Sequence, residues 1–373
     1  MNILFLAARD WTHPQATGAD QCACDYARYL ASRSHDVTLI AARYEGAPAT
    51  TNIDGVRVVR PSEMPLLALH AAAYYLRRRV QFDVVYEQAM PSAGVPFLAP
   101  LYVRKPVVGI WRQVTRGRSP HPPLQAAIIR LGERLVLKLH RHTHTIALSR
   151  DRIAELIAEG LPRERITLVP PLMLDSQRAA PTGAVREPLV VWIGDIRRHK
   201  YPHHAIEAMP ALLRAVPDAR LVIAGRRGDD EYARELLDTA GWLGVGDRVA
   251  LRLNITDREK LDVLSRARAL AVTSPVESFS VVTVEASRCG TPVVATHGVP
   301  LDTAKDGYNA LRVRFGDRPA LADALSRLLT DDALFEMLSR NSRDLAEQFI
   351  VAQTARWLDH TVDLAAEELR RAA

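Results

Sequence analysis

Short apolar runs separated by longer amphipathic stretches organise this chain. Asn2–Ala8, Asp36–Ala42 and Phe82–Glu87 are compact runs of Val, Ile, Leu and Phe, which reads as strands buried on both faces. Between the first two, Gln21–Ser34 spaces Ala, Tyr and Leu as a helix does, so the chain opens with βαβ units. Further strands are predicted at Pro106–Trp111, Thr143–Ser149 and Ile166–Val169, with a helix over Leu124–Leu139 before the second of these. Parallel strands need crossover helices, so a doubly wound parallel sheet is expected.

Ser176–Pro188 breaks the alternation with two prolines, a glycine and no apolar periodicity, as an interdomain linker does. Strands then recur at Leu189–Ile193, Arg220–Ala224, Arg248–Leu253, Ala269–Thr273 and Pro292–Ala295. Helices are predicted between them at Tyr201–Val216, Asp230–Leu243, Arg258–Ser265 and Val281–Cys289, and from Pro319 onward the tail is helical. The fold class is therefore α/β, with Rossmann-like doubly wound sheets in domains 1–178 and 179–353 and a last helix, about 354–373, packing back on the first. Such sheets bind ligands at the carboxyl ends of their strands, which places the chemistry in a cleft between facing domains.

Composition removes several classes. A chain of 373 residues, 48% hydrophobic and 25% charged, is neither disordered nor fibrous. Its longest apolar stretch, Pro65–Leu76, contains a histidine and falls short of the ~20 residues that a membrane span requires. The start MNILFLAARDW lacks a positive n-region, so it reads as a strand and a cytoplasmic location is expected. Cys22, Cys24 and Cys289 make no disulfide framework, and no metal is expected. The alternating His140, His142 and His144 would share one face of a strand, which raises a metal site, although a polar strand entry is the commoner meaning of such a run.

Charge is uneven. Residues 1–180 hold 23 Lys and Arg against 15 Asp and Glu, while residues 181–373 hold 26 against 28. The basic half suits an anionic partner, which could be a membrane surface, a phosphorylated substrate or nucleic acid, and high arginine usage without any partner gives the same balance; of the three, nucleic acid is the one not expected for this chain. Leu66–Val80 and Leu124–Leu139 join apolar faces to Arg77, Arg78 and Arg79 and to Arg130, Arg134 and Lys138. Such helices can lie on the inner face of an anionic bilayer, or pack on a core with their arginines extended to water.

Two motifs sit just after predicted strands. Gly194, Asp195, Ile196, Arg197, Arg198, His199 and Lys200 open a helix: glycine admits close backbone approach, and three cations within a turn can neutralise a diphosphate. Taken alone, a solvated basic turn has the same sequence. Glu277, Ser278, Phe279, Ser280, Val281 and, eight positions after the first, Glu285 place two carboxylates where both can accept hydroxyl pairs of a sugar or ribose. Singly, Glu277 is a loop charge and Glu285 sits well near a helix N-terminus. The loop after the first strand, with Thr17, Gly18 and Ala19, lacks the G-x-G-x-x-G spacing of a dinucleotide site.

These segments, in this order, resemble glycosyltransferase family 4, retaining nucleotide-sugar-dependent enzymes of GT-B fold. MNILFLAARDW, HPQATGA and YARYLASRSHDVTLIA are similar to the family's N-terminal pattern, and IALSRDRIAELIAEGLPRERITLVPP to its pre-linker segment. WIGDIRRHK resembles the Gly-Arg-Leu-x-x-x-Lys phosphate motif, and SPVESFSVVTVEASRCGTPVVAT the E-x7-E region, with LVIAG, GDRVALRLNIT and KDGYNALRV in the expected order. The resemblance spans residues 1–345 and implies transfer of a hexosyl unit from a UDP- or GDP-sugar to an acceptor hydroxyl on a lipid, glycan or small natural product, with no further cofactor and no metal.

Carried to matching positions, it implies that Glu285 binds ribose, Glu277 the donor sugar and Lys200 the diphosphate. Backbone near Arg252 and Leu253 would meet the base, amides from Ser278 to Val281 the sugar or distal phosphate, and Gly18 and Ala19 the donor. Asp195 stands where the family has an arginine after Gly194, so Arg197 or Arg198 would substitute. Trp111, Arg112 and Gln113 stand where most members have a histidine; Glu87, Arg112 and Gln113 are the acceptor-side candidates. With Ala19, Ser278 and Ser280 in place of glycines, altered donor or acceptor fit is expected. A nucleotide-sugar epimerase of GT-B fold and an inactive binding subunit are the alternatives.

Overall fold

A computed structural model of the chain describes residues 1–89, 96–112, 123–174, 184–226, 228 and 230–372. The chain divides into two compact units, Met1–Leu174 with Val351–Ala373, and Asp175–Ile350. Of the expected linker, residues 176–183 lie outside the described residues.

In the first unit, β1 (Asn2–Leu6) leads through α1 (Gly18–Ser32) to β2 (Asp36–Ile40), followed by β3 (Thr50–Ile53), β4 (Val56–Val59) and α2 (Met64–Arg78). Then come β5 (Val84–Gln88), β6 (Val107–Trp111), α3 (Pro123–Leu139), β7 (His144–Ala147), α4 (Arg150–Ala158) and β8 (Ile166–Leu168). The strands lie in the order β3-β4-β2-β1-β5-β6-β7-β8, parallel except for the β3/β4 hairpin. Ile3, Leu4, Phe5 and Leu6 are at most 1% exposed, as expected of a central parallel strand covered on both faces. The hairpin was not predicted. Its signal is Asp54-Gly55, both at positive φ, the two-residue turn that a right-twisted hairpin requires.

The second unit repeats the plan with β9 (Glu187–Ile193), α5 (His203–Ala215), β10 (Arg220–Gly225), α6 (Asp230–Trp242), β11 (Val249–Leu253), α7 (Asp257–Arg266) and β12 (Ala267–Val272). It continues through α8 (Val281–Arg288), β13 (Val293–Thr296), β14 (Ala310–Val313), α9 (Arg318–Thr330) and α10 (Asp332–Glu347). Its six strands, all parallel, run β11-β10-β9-β12-β13-β14. The unpredicted β14 is a short edge strand between two loops.

The final helix, α11 (Val351–Ala372), belongs to the first unit. Tyr29 donates to Asp359 at 2.9 Å, and the hydroxyls of Tyr86 and Thr361 lie 2.8 Å apart in the interior. Among the described residues no helix is long and apolar enough to cross a membrane.

The three alternating histidines do not share a strand face. His140–His142 form a 3₁₀ turn closing α3, and only His144 enters β7. His140 turns under β6, its Nδ1 3.0 Å from Thr143 Oγ1 and its Nε2 2.8 Å from Glu87 Oε1. The ring fits because residue 109 is glycine; a Cβ there would lie 2.8 Å from His140 Nδ1. Gly109→Ala should therefore lower the unfolding free energy by about 1–3 kcal/mol through overpacking, read from urea denaturation.

Candidate functional site

Between β9 and β12 the second sheet changes winding direction, so the loops leaving these strands diverge and open a crevice at their carboxyl ends. The loop after β9 is fixed by backbone. Gly194 N–H donates to Ala224 at 3.1 Å and Ile196 N–H to Arg226 at 3.1 Å. Gly225 has φ +146°, and a Cβ on it would lie 1.8 Å from the Gly194 carbonyl oxygen, so only glycine fits.

The 3₁₀ turn Arg198–Lys200 follows, ended by Tyr201 at φ +55°. Thr273, one residue past β12, locks it: its hydroxyl accepts from Trp192 Nε1 at 2.9 Å and donates to the carbonyls of Tyr201 at 2.7 Å and Lys200 at 3.2 Å. On the far side, Glu277 N–H donates to Gly298 at 2.9 Å, and a Cβ on Gly298 would lie 1.8 Å from Pro275 O. With both loops held, Lys200 Nζ donates to Glu277 Oε1 at 2.7 Å, the side chains 27% and 15% exposed.

Glu285 lies within α8, 5% exposed, and its Oε1 accepts from Lys260 Nζ at 2.7 Å. Burial works to neutralise Lys260, but Glu285 and Asp257 outweigh it and hold its pKa above the ordinary lysine value. Lys260 was missed from sequence because nothing in the α7 pattern distinguishes it from a surface lysine. Ser280, at φ +71°, opens α8, and its hydroxyl is 2.7 Å from that of Thr283. Phe279 is 2% exposed, packs edge-on against Phe349 at 5.2 Å, and its carbonyl accepts from Thr303 at 2.9 Å; the ring anchors the loop. Ser278 and Val281 are partly buried beside it.

The arginines divide. Arg198 turns to α6, where it pairs with Glu235 and stacks over Tyr232 at 4.9 Å. Exposed Arg197 runs past Gly228, where a Cβ would lie 2.9 Å from its Cγ. Asp195 is paired with Arg226 at 3.0 Å, a cation at the end of β10 that sequence reading missed because it lies 31 residues away. Arg252 is exposed and Leu253 partly buried at the end of β11; next to them Asn254 N–H donates to Gly225 at 2.6 Å.

In the first unit, Gly18 begins α1 in open space, while the side chain of Ala19 and all of Gln113 lie outside the described residues. Arg112 is partly buried at the end of β6. Glu87, expected to face an acceptor, has no exposed surface: His140 lies against Oε1 and Ala99 N–H donates to Oε2 at 3.1 Å, so it braces the interior instead.

Comparison with known proteins covers both units. Residues 16–172 match the model of Glycosyltransferase Family 4, and residues 175–345 that of Glycosyl transferases group 1. The chain is 30% identical over 303 residues to D-inositol 3-phosphate glycosyltransferase of Mycolicibacterium smegmatis, covering 77% of this chain and 67% of that one. It is 30% identical over 260 residues to the same-named protein of Nocardia farcinica, there covering 66% of this chain and 56% of the relative. Its similarity thus spans between half and two thirds of these relatives' length. A GDP-mannose-dependent alpha-(1-6)-phosphatidylinositol monomannoside mannosyltransferase of M. smegmatis is 28% identical, covering 80% and 82% of the two chains. Among solved structures, Anabaena HepE in complex with UDP superposes with a TM-score of 0.76 at 20% identity over 97% of this chain and 100% of that one. WaaG, described as involved in lipopolysaccharide biosynthesis, gives 0.72 at 15% identity over 96% and 99%. These neighbours share the GT-B fold.

Thr273→Val removes one acceptor and one donor from buried partners, so it should cost about 1–3 kcal/mol of stability, measured by denaturant unfolding. Beneath the turn, His204 is 5% exposed among Tyr201 and Phe315, and burial, aided by Arg318 and His203, drops its pKa to about 4. Unfolded, it titrates near 6.5, so between these values the unfolded chain binds the extra proton and stability rises with pH. The slope of unfolding free energy between pH 4 and 6.5 should be shallower in His204→Asn.

Proposed function

The chain belongs to glycosyltransferase family 4, and on that premise we propose that it is a retaining glycosyltransferase moving a hexosyl unit from a nucleoside diphosphate sugar to an acceptor hydroxyl. The observation that carries this reading is the Lys200–Glu277 contact at the switch point of the second sheet. Without ligand, the ammonium and carboxylate neutralise each other. A donor diphosphate would draw Lys200 toward its oxygens and leave Glu277 free to accept hydroxyl hydrogen bonds from the sugar. One lysine at ~4 Å contributes a few kcal/mol at an effective dielectric near ~20, and more of it is realised as charge develops on the departing phosphate.

Glu285, oriented by Lys260, is suited to the two ribose hydroxyls. UDP and UDP-glucose complexes of HepE support a nucleotide-sugar donor, while the mannosyltransferase relative supports a GDP-sugar equally. In this reading the C1–phosphate bond breaks as the acceptor oxygen attacks from the same face, and the acceptor proton passes to the leaving phosphate oxygen. Lys200, with Arg197 and Arg226 nearby in sequence and fold, supplies the countercharge.

The first unit is proposed to bind the acceptor, with peripheral contact at the cytoplasmic face of a membrane. Leu124, Leu131 and Leu135 on α3 are 54–75% exposed, and Arg134 and Lys138 flank them, the pattern of a helix that lies on an anionic bilayer.

Lys200→Ala and Glu277→Ala should each lower kcat/KM by at least about 10², roughly 3 kcal/mol of transition-state stabilisation, in a transferase assay with UDP- and GDP-hexoses. Near-normal turnover in both would remove the site. Activity should also persist in excess chelator; its loss, with recovery on adding magnesium, would place a divalent ion at the diphosphate.

A further inference from the structure

In the second unit, α7 leaves β11 through a short loop and starts at the carboxyl end of the sheet, the side on which such folds bind ligands. A capping box fixes its first turn: the Thr256 hydroxyl accepts from Glu259 N–H at 3.2 Å, and Glu259 Oε2 accepts from Thr256 N–H at 2.7 Å. Leu261, Val263 and Leu264, at most 6% exposed, sink into the core with Leu189, Val191 and Leu270. With that face of α7 buried, Lys260 is carried to the neighbouring helix α8.

Its ammonium lies between two carboxylates, 2.7 Å from Glu285 Oε1 and 2.8 Å from Asp257 Oδ1. The two differ in what they need. Asp257 is 53% exposed and is served by water, whereas Glu285 is 5% exposed. Burial of that degree works against an ionised carboxylate unless a cation stands beside it. Without Lys260, Glu285 would take up a proton or turn toward water, and either change spoils it as an acceptor.

The same contact could serve only to tie α7 to α8. An apolar pair of similar shape would do that as well or better, because a buried ion pair loses in desolvation much of what it gains in attraction. An ionised carboxylate, however, only accepts hydrogen bonds: it rewards a hydroxyl and gives nothing to a C–H. Ribose presents two adjacent hydroxyls and 2′-deoxyribose only one. We propose that Lys260 is a positioning residue that keeps Glu285 ionised and aimed, so that the pair selects a donor built on a ribonucleoside and refuses one built on a 2′-deoxyribonucleoside. The inference rests on the reading of Glu285 as the ribose carboxylate. It narrows the donor class, placing sugars activated with deoxythymidine diphosphate outside it.

Isothermal titration of the full chain with UDP and 2′-deoxy-UDP, and with GDP and 2′-deoxy-GDP, tests this, the readout being the ratio of the two affinities. In the unaltered chain the ribonucleotide should bind at least about tenfold tighter than its 2′-deoxy form, as expected for loss of one hydrogen bond to a buried charged group. That ratio should drop by at least about threefold in Lys260→Met and in Lys260→Gln, while Lys260→Arg, which keeps the charge, should retain it. Loss of a purely structural tie would weaken both nucleotides alike and leave the ratio unchanged. If Lys260→Met fails to fold, Lys260→Gln decides. A ratio near one in the unaltered chain, a smaller drop in the folded variant, or an equal drop in Lys260→Arg would overturn the proposal. Binding of neither UDP nor GDP by the unaltered chain would sink the donor reading and this inference with it, whereas a preference for ribose indifferent to residue 260 sinks the inference alone.

Discussion

The close passage of backbone between Gly194 and Gly225 is the constraint on which the second unit's site depends. With a would-be Cβ 1.8 Å from a carbonyl oxygen, the ends of β9 and β10 approach as closely as peptide groups allow. That contact fixes where the chain leaves β9, and Thr273 then fixes the carbonyls of Lys200 and Tyr201 from the neighbouring strand. Lys200 emerges from a turn whose freedom is spent before its side chain is placed. Glu277 is treated alike, its loop pressed onto Gly298. Side chains held by backbone in this way lose little further freedom on meeting a ligand, which is the physical content of preorganisation.

Charge in the site is arranged as exchangeable pairs. Lys200 is matched by Glu277, Lys260 by Glu285 and Arg226 by Asp195, each contact at 2.7–3.0 Å. A buried or half-buried cation without a ligand needs such a partner, and the partner chosen decides what the ligand must displace. Lys200 is matched by a residue that itself can hold sugar hydroxyls, so one anion entering the pair frees the other group for recognition. Arg198, by contrast, is matched on α6, where Glu235 and the Tyr232 ring draw it to a different element.

Much of the fold was legible because buried parallel strands are written as short apolar runs, and β1, β2, β5, β6, β7, β9, β10, β12 and β13 each overlap such a run. Three strands were not: β3, β4 and β14 are four-residue strands with weak alternation, and their pairing comes from turns and from neighbours distant in sequence. The loops that carry Lys200 and Glu277 were readable because each leaves the end of an apolar strand run, β9 and β12. Lys260 and Arg226 were not, since their significance arises from partners 25 and 31 residues away. Glu87 was misplaced for the same reason, because the glycine at 109 that lets His140 reach it lies on another strand.

The central claim is that Lys200 holds a nucleoside diphosphate and that Glu277 competes with it. Titrating UDP and GDP into the unaltered chain, Lys200→Ala and Glu277→Gln separates the two roles. Affinity for the nucleotide that binds should fall at least tenfold in Lys200→Ala and should be unchanged or tighter in Glu277→Gln, where the lysine is released. Equal affinity of Lys200→Ala and the unaltered chain would contradict the assignment.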